Sequence, residues 1–403
     1  MLNKPFFSDM NILHTKRYIV RRLYIIYTFI ISISFLFPLI NLNAQELLPD
    51  KVEVVKARVL EVRDKEKEVI PTFNIENRVQ EVKAILLEGE GKGREVTFNN
   101  DFTSLSPDQI FYLNHTIDKD GVEYFAMLEP YRMNVIYLFL GLFILLTILI
   151  GGVQGVRGLI SLAISLVLIV YALVPFILSG YSPILVSILV SSFIIILGSY
   201  ITHGFNKTTT SAVFGMILTV IITGALAYLA IDLGNFSGYE TEEAVFLNLN
   251  HRGNIDLVGI LIGGIMIGLL GVLYDVAINQ AIFVKELHSI APNVEKKKIF
   301  KRAFYMGREH IGALVDTLAI AYVGASLPLL LLFSNTPNIE VTLNREIFAV
   351  EIIRILIGSI GLILAVPITT FIASMMLIKE NKNKDASLLN QEEENLKHYK
   401  HSH

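Results

Sequence analysis

The chain has 403 residues, of which 53 % are apolar and only 18 % are charged, with a formal net charge of −3. Soluble domains contain about 25 % charged residues. This composition, with a mean hydropathy of +0.56, therefore excludes an ordinary soluble globular protein and predicts a membrane protein. The absence of cysteine excludes disulfide bonds, thiolate metal sites and thiol catalysis.

The first 44 residues have the anatomy of an export signal. Five basic residues precede an apolar stretch at 23–42, which ends close to the small residue Ala44. This order predicts either a secretory signal peptide cleaved after Ala44 or an uncleaved signal anchor. Both alternatives place the following segment outside the cytoplasm.

Residues 45–130 form a separate polar segment with 18 acidic and 11 basic residues. Alternating or β-branched runs occur at 52–62, 79–87, 94–98 and 122–128, with a glycine-rich turn before the third run. Short strands joined by tight turns are typical of small barrels. We therefore expect an extracytoplasmic, β-rich, barrel-like domain.

The segment 131–378 predicts a seven-helix transmembrane domain, because it contains seven apolar stretches near the length of about 20 residues that a membrane helix needs. They cover residues 133–150, 158–178, 183–202, 211–231, 257–280, 311–333 and 348–378.

Loop charges predict the orientation of these helices. The loop 281–310 carries seven Lys or Arg residues against three acids, whereas the loop 232–256 carries five acids and one base. Cytoplasmic loops are enriched in Lys and Arg, so we expect 281–310 inside and 45–130 outside. Both termini are then cytoplasmic, the N-terminus if it is uncleaved. Residues 379–403 predict a disordered cytoplasmic tail.

One predicted span carries an acid on a face of glycines. Asp275 follows Gly264, Gly268 and Gly271 at helical spacing. A charge in such a span costs about 2.5–3.5 kcal/mol on insertion scales, and glycines let a second helix approach closely. We expect these glycines, with a second small-residue stripe, to serve helix packing. The second stripe contains Gly358 and Gly361.

Further polar residues suggest two alternative roles for Asp275. Asn279, Glu309 and Asp316 are expected near the same depth and could bind a transported ion or proton with it. His203 could reach that level too. The alternative is structural: Asp275 or Asp316 pairs with Arg308 and only fixes helix packing. Side chains suggested for ion pairs or gating are Arg308, His310, Glu351 and Arg354.

No enzyme signature accompanies these polar groups. The sequence lacks H-E-x-x-H, G-x-S-x-G and a Walker lysine followed by Ser or Thr. We therefore expect no enzymatic activity, no cofactor, no metal centre and no nucleic-acid partner. Oxygen ligands without cysteine favour H⁺, Na⁺ or a hard divalent ion as cargo.

Several segments of the chain are similar to those of one membrane-protein family. They are Glu88–Arg94 followed by Asn99-Asn100, Ile255–Leu257, Gly263–Ala277, Met306–Glu309, Thr317-Leu318 with Ala321-Tyr322, Ser326–Leu331, and Glu351–Gly361 with Pro367. On these segments the chain resembles the YibE/F family of bacterial integral membrane proteins. The resemblance implies a bacterial plasma-membrane protein with several spans, and it implies no particular activity.

Two functions are compatible with these observations. The first is a permease or channel-like transporter of a small ion or solute that uses intramembrane carboxylates. The second is a non-catalytic membrane scaffold whose exported β domain binds an envelope partner. Both predict an α-helical polytopic protein in contact with the lipid bilayer, and the oligomeric state is left open.

Overall fold

The computed structural model describes residues 51–378, apart from 66–67, 71–74, 78, 90, 102, 119–120, 333 and 335. The predicted export signal (1–44) and the predicted tail (379–403) lie outside the described residues. The chain divides after Ile150 into two compact units, and each is described by itself.

The first unit contains an antiparallel β-sheet where the alternating sequence pattern predicts strands. Five of the strands form one sheet in the order β5-β4-β1-β6-β7, and β2 and β3 form a separate pair. Buried residues alternate along β4 and β5 because one face of each strand covers a core that includes Phe111 and Leu113. The strands are β1 (Lys51–Asp64), β2 (Glu68–Ile70), β3 (Ile75–Asn77), β4 (Gln80–Leu86), β5 (Glu95–Asn100), β6 (Ile110–Ile117) and β7 (Glu123–Pro130).

An ion pair joins the two edges of this sheet. Arg94, next to β5, places its Nη2 2.7 Å from Oε2 of Glu123 in β7, and its Nη1 donates to Oε1 at 3.1 Å. The same guanidinium lies 5.8 Å from the ring centroid of Phe125. The sheet therefore curls into a partly open barrel, as expected from the sequence.

Helices occupy the rest of the described chain. The first is interrupted at Gly152, whose φ of 53° and ψ of −136° are not helical; glycine adopts positive φ at little cost. The helices are α1 (Met133–Leu168), α2 (Val174–Leu178), α3 (Pro183–His203), α4 (Lys207–Leu233), α5 (Glu242–Asn250), α6 (Leu257–Ile290), α7 (Lys296–Ala325), α8 (Leu327–Leu332), α9 (Ile339–Leu343) and α10 (Glu346–Leu377), with a π-helical turn at Ile169–Leu173 between α1 and α2.

Five helical stretches of the described chain are long and apolar enough to cross a membrane. The interruption at Gly152 separates two of the predicted spans within the first stretch. The predicted span 311–333 is not among the five, because α7 ends at Ala325 just before Pro328, and its apolar half carries Asp316 close after Arg308 and Glu309. The five stretches are Met133–Leu178, Pro183–His203, Lys207–Leu233, Leu257–Ile290 and Glu346–Leu377.

The helical unit is built around α4, α6 and α10, which pack against one another. Helix α3 packs on α4 and α6, and α7 packs on α6 and α10. Their common core includes Met216, Met266, Leu269 and Leu362, each almost fully buried. This arrangement and the β-sheet confirm the predicted fold class, an α-helical polytopic membrane protein with a small β-rich domain.

Close contacts between the helices pair glycines with polar side chains. At six glycines an added Cβ would overlap a polar atom of a neighbouring helix, so each contact depends on the missing side chain. The pairs are Gly198 with Ser161, Gly215 with Thr369, Gly263 with Ser187, Gly361 with Thr223, Gly268 with Tyr322, and Gly307 with Gln280.

Candidate ion-binding site on helix α6

Helix α6 leaves one face uncovered by the rest of the described chain. The residues on it follow helical spacing and are all exposed: Gly264, Gly268, Gly271, Asp275 and Asn279. We call these five residues the open face of α6. Helix α3 bounds it on one flank, through Ser187 against Gly263, and α7 bounds it on the other, through Tyr322 against Gly268.

Most of the glycines on the open face contact no neighbouring helix. Among the described residues, no atom lies within 4 Å of a Cβ built at Gly264 or Gly271, and Gly268 meets only the end of the Tyr322 ring. In the other predicted stripe, by contrast, a Cβ at Gly358 would lie 2.9 Å from Cδ2 of Leu318. A Cβ at Gly361 would lie 2.6 Å from Oγ1 of Thr223. The stripe on α10 is therefore packed, whereas the one on α6 leaves Asp275 accessible.

The register of α3 against α6 places His203 beside this acid. Three α3 residues, Pro183, Ser187 and Gly198, each lie beside the α6 residue 76 positions later in the chain. The two helices therefore run parallel, and His203 lies level with Asn279, one turn past Asp275. The His203 ring is 5.9 Å from that of Tyr274, the residue next to Asp275, and it forms no direct ion pair with the Asp275 carboxylate.

Asp275 has no fixed cation. No Lys or Arg among the described residues lies within 4 Å of its carboxylate oxygens. Arg308, which could have paired with it, instead lies over the ring of Tyr305 at 5.0 Å. The structure therefore gives Asp275 a titratable neighbour, His203, and not a permanent counter-charge.

The predicted α7 residues have different surroundings, and their grouping with Asp275 stays a prediction. His310 stacks against Phe283 of α6, with ring centroids 6.4 Å apart. Glu309 and Asp316 are both exposed and form no ion pair with any residue between 51 and 378 that the structure describes. Asn279 remains on the open face, one turn after Asp275.

A second polar cluster lies at the opposite end of the helical unit. Glu351 and Arg354 pair within α10 at 2.5 Å, as their spacing predicts. Arg354 also lies 3.9 Å from Glu240, whose side chain is only 14 % exposed. Oxygen Oε2 of Glu240 is buried and has no hydrogen-bond partner in the part of the chain that the structure describes. Burial raises the pKa of this carboxyl above its ordinary value, and Arg354 partly offsets the rise.

The loop that carries Glu240 is tied to the start of α10. The Glu346 carboxylate accepts hydrogen bonds from Ser237 N and Oγ, both at 2.7 Å, and from Gly238 N at 2.8 Å. Gly238 has a φ of +79°, and a Cβ there would lie 2.8 Å from the carbonyl carbon of Leu257. The loop therefore contacts both α6 and α10.

Sequence analysis did not identify Glu240 or Tyr322 as neighbours of Arg354. Each precedes Arg354 by more than 30 residues, and nothing in their local sequence indicates this contact.

Among the described residues, no group of three His, Asp or Glu side chains is arranged to hold a metal ion.

All of these helical residues fall within one family match. A family model described as YibE/F-like protein matches residues 139–379. The chain belongs to the YibE/F-like family. The match covers the helical unit with Asp275, His203 and Arg354, and it begins after the β strands, so the resemblance of the β domain stays a prediction. No curated protein and no solved structure matches the chain.

Proposed function

We propose that this YibE/F-like membrane protein is a permease or channel-like transporter of a small ion or solute. In this proposal Asp275 coordinates the ion or carries the proton. The observation that supports it is the setting of Asp275, an acid in an apolar helix, on a face that the described residues leave uncovered and with no Lys or Arg partner among them. A carboxylate that served only helix packing would be paired, because an unpaired charge within a membrane span is costly.

His203 gives Asp275 a partner that can change its charge. Imidazole titrates near neutral pH, so a His–Asp pair can take up and release a proton or exchange a proton for a cation. Asn279, one turn further, adds a neutral oxygen ligand at the level of His203. In this proposal Glu309 and Asp316 of α7 contact the ion before or after it reaches Asp275.

The proposal includes an orientation in a bacterial plasma membrane. The basic segment that ends α6 and begins α7 lies in the cytoplasm, and the β domain lies outside. The chain carries out no catalytic step in this proposal and uses no cofactor or nucleic acid.

The test is ion flux into proteoliposomes that contain the full chain. H⁺, Na⁺ and divalent cations are offered separately to wild type, Asp275→Asn and the control Glu286→Gln. Glu286 is an exposed acid further along α6. We expect at least a tenfold loss of flux in Asp275→Asn and wild-type flux in the control. If Asp275→Asn shows the same flux as wild type and the control, Asp275 takes no part in transport.

A second candidate function is supported by an apolar patch on the β domain. Val52, Val54 and Tyr124 are 44 %, 52 % and 56 % exposed. Val52 and Tyr124 flank Thr116 across three neighbouring strands and so share one face of the sheet. Contiguous exposed apolar surface is typical of interaction sites, so this face fits a scaffold that binds an envelope protein.

Photo-crosslinking distinguishes the scaffold from the transporter. A photoreactive residue at Val54 should give one discrete crosslinked product in whole cells, whereas one at the buried neighbour Val55 should give none. A wild type that carries no tested ion but gives this product would favour the scaffold. Equal products from both positions would exclude the patch as a docking face.

A further inference from the structure

The first half of α7 turns a basic surface away from the helical core. Ile299, Ala303 and Gly307, spaced four residues apart, are buried against the neighbouring helices. The opposite side of the helix follows the same period and is exposed. It carries four residues that we call the basic face of α7: Lys298, Lys301, Tyr305 and Arg308.

The packing of α6 against α7 sets the level of this face. The two helices run antiparallel, with Gln280 of α6 beside Gly307 of α7. This register brings Lys301 to about the level of Lys285, the first basic residue after the apolar part of α6. The basic face therefore lies where α6 passes from the apolar part of the membrane to the headgroups.

Exposed apolar surface borders the basic face at the same level. Tyr305 is 57 % exposed and Met306 is 39 % exposed. Ile282 of α6, which is level with Tyr305 in this register, is 37 % exposed. Tyrosine is enriched where membrane helices meet the headgroups. Cations beside exposed apolar side chains match a phospholipid, in which a charged headgroup adjoins the acyl chains.

The cations of the basic face have little compensating charge. Residues 296–310 contain six Lys or Arg and a single acid. Lys301 forms no ion pair with any acid in the part of the chain that the structure describes. Lys298 lies 3.6 Å from Glu295, and both side chains are mostly exposed. Because like charges repel, an anion bound among these cations would be attracted by all of them.

Arg308 keeps its hydrogen-bond donors available. Its guanidinium lies over the Tyr305 ring at 5.0 Å, and it pairs neither with the adjacent Glu309 nor with any other described acid. A guanidinium that contacts a ring through its face retains the N–H groups at its edge, which bind phosphate with two parallel hydrogen bonds. Lys301 adds a second cation on the same face, about 10 Å away along the helix.

We propose that the basic face of α7 binds the headgroup of an anionic phospholipid. Arg308 and Lys301 contact the phosphate, Tyr305 packs against the glycerol backbone, and Lys298 attracts the negative headgroup through its charge. The exposed apolar side chains at this level favour a lipid over a free inorganic anion, which would leave them uncovered. The inference goes beyond the proposed transport function and does not depend on it.

The natural absence of tryptophan allows a direct test. Tyr305→Trp keeps an aromatic ring on the basic face and makes it the single tryptophan of the chain. The full-length variant is reconstituted into phosphatidylcholine vesicles with increasing fractions of brominated phosphatidylglycerol or, separately, of brominated phosphatidylcholine. Bromine quenches tryptophan fluorescence on contact, so the lipid fraction that gives half-maximal quenching measures the relative affinity for each lipid.

We expect brominated phosphatidylglycerol to quench at a lower fraction than brominated phosphatidylcholine. The double variant Lys301→Gln/Arg308→Gln, made in the Tyr305→Trp background, should reduce this preference about tenfold, because cations near a membrane surface attract anionic lipid. The matched control Arg157→Gln/Lys207→Gln removes one exposed Arg from α1 and one exposed Lys from α4. It should keep the preference.

Three results would overturn the lipid site. One is equal quenching by the two brominated lipids. Another is an equal loss of preference in the control Arg157→Gln/Lys207→Gln, because net charge and not the basic face would then attract the lipid. The third is displacement of phosphatidylglycerol by inorganic phosphate but not by chloride at the same ionic strength, because the face would then bind a soluble anion.

A measurement on the unmodified chain checks that the new tryptophan has not disturbed the face. Phosphatidylglycerol, unlike phosphatidylcholine, should raise the thermal unfolding midpoint of the wild type in detergent, because a ligand that binds the folded state stabilises it. The rise should be smaller in Lys301→Gln/Arg308→Gln. Equal midpoints with the two lipids would contradict the site. None of these measurements involves ion flux, so their failure is separate from that of the transport function.

Discussion

The side-chain amide of Gln280 occupies the space beside Gly307 where any other residue would place its Cβ. Gln280 is 3 % exposed, and its Oε1 accepts a hydrogen bond from Thr370 at 2.9 Å. One residue of α6 thereby holds α7 and α10 together. A buried amide stabilises the fold while it keeps its hydrogen-bond partner, and the loss of that partner costs free energy of folding.

Gly307→Ala should destabilise this junction. The new Cβ would overlap Nε2 of Gln280 and lie 2.7 Å from Cγ1 of Val366, and overpacking of this kind costs about 1–3 kcal/mol. Thermal unfolding in detergent should show a lower midpoint for this variant. Gly312→Ala is the matched control, because a Cβ built at that glycine of α7 has no described residue within 4 Å. An equally large fall of the unfolding midpoint in Gly312→Ala would mean that the destabilisation does not come from the contact between Gln280 and Gly307.

Glu346→Ala should release the loop that carries Glu240. The substitution removes the acceptor of three hydrogen bonds from Ser237 and Gly238, and a bond to a charged group contributes about 1.5–3 kcal/mol. Hydrogen exchange at the amides of these two residues should accelerate at least tenfold. Glu340→Ala, an exposed acid of α9, should leave their exchange unchanged. Unaltered protection in Glu346→Ala would show that other contacts hold the loop.

The Glu240 carboxyl should lower the stability of the fold at neutral pH and lower it less as the pH falls. Burial raises the pKa of its carboxyl, with Arg354 lowering it and Glu346 and Glu351 raising it. The ionised form therefore costs stability at neutral pH, and this cost disappears as the pH falls below the folded-state pKa. Glu240→Gln should raise the unfolding midpoint at neutral pH, and the difference from wild type should shrink on acidification.

Glu243, three residues later, provides the opposite case. Hydrogen bonds from its own backbone N–H and from Thr241 lower the pKa of its carboxyl. Its contribution is present above the unfolded-state pKa and is lost as the pH falls through the folded-state pKa. Glu243→Gln should therefore lower the midpoint at neutral pH. Midpoints that move in the same direction in both variants would contradict this account.

Helical spacing alone determined much of the candidate site. The period of 3.6 residues places Gly264, Gly268, Gly271, Asp275 and Asn279 on one face of α6, whatever the neighbouring helices do. Hydropathy likewise identified the apolar stretches, and alternation identified the β domain. The spacing of Glu351 and Arg354 was enough to predict their ion pair, because both partners lie on one helix.

Only the tertiary structure decided which faces meet. His203 lies level with Asn279, one turn from Asp275, because α3 and α6 run parallel in one particular register, and Tyr322 reaches Gly268 because α7 packs against α6 and α10. A glycine stripe can contact another helix or remain uncovered. The stripe on α10 is packed against neighbouring helices, whereas the described residues leave the stripe on α6 uncovered. The physical reason is that periodicity is a property of one helix, whereas contacts between helices depend on how all side chains of the bundle pack at once.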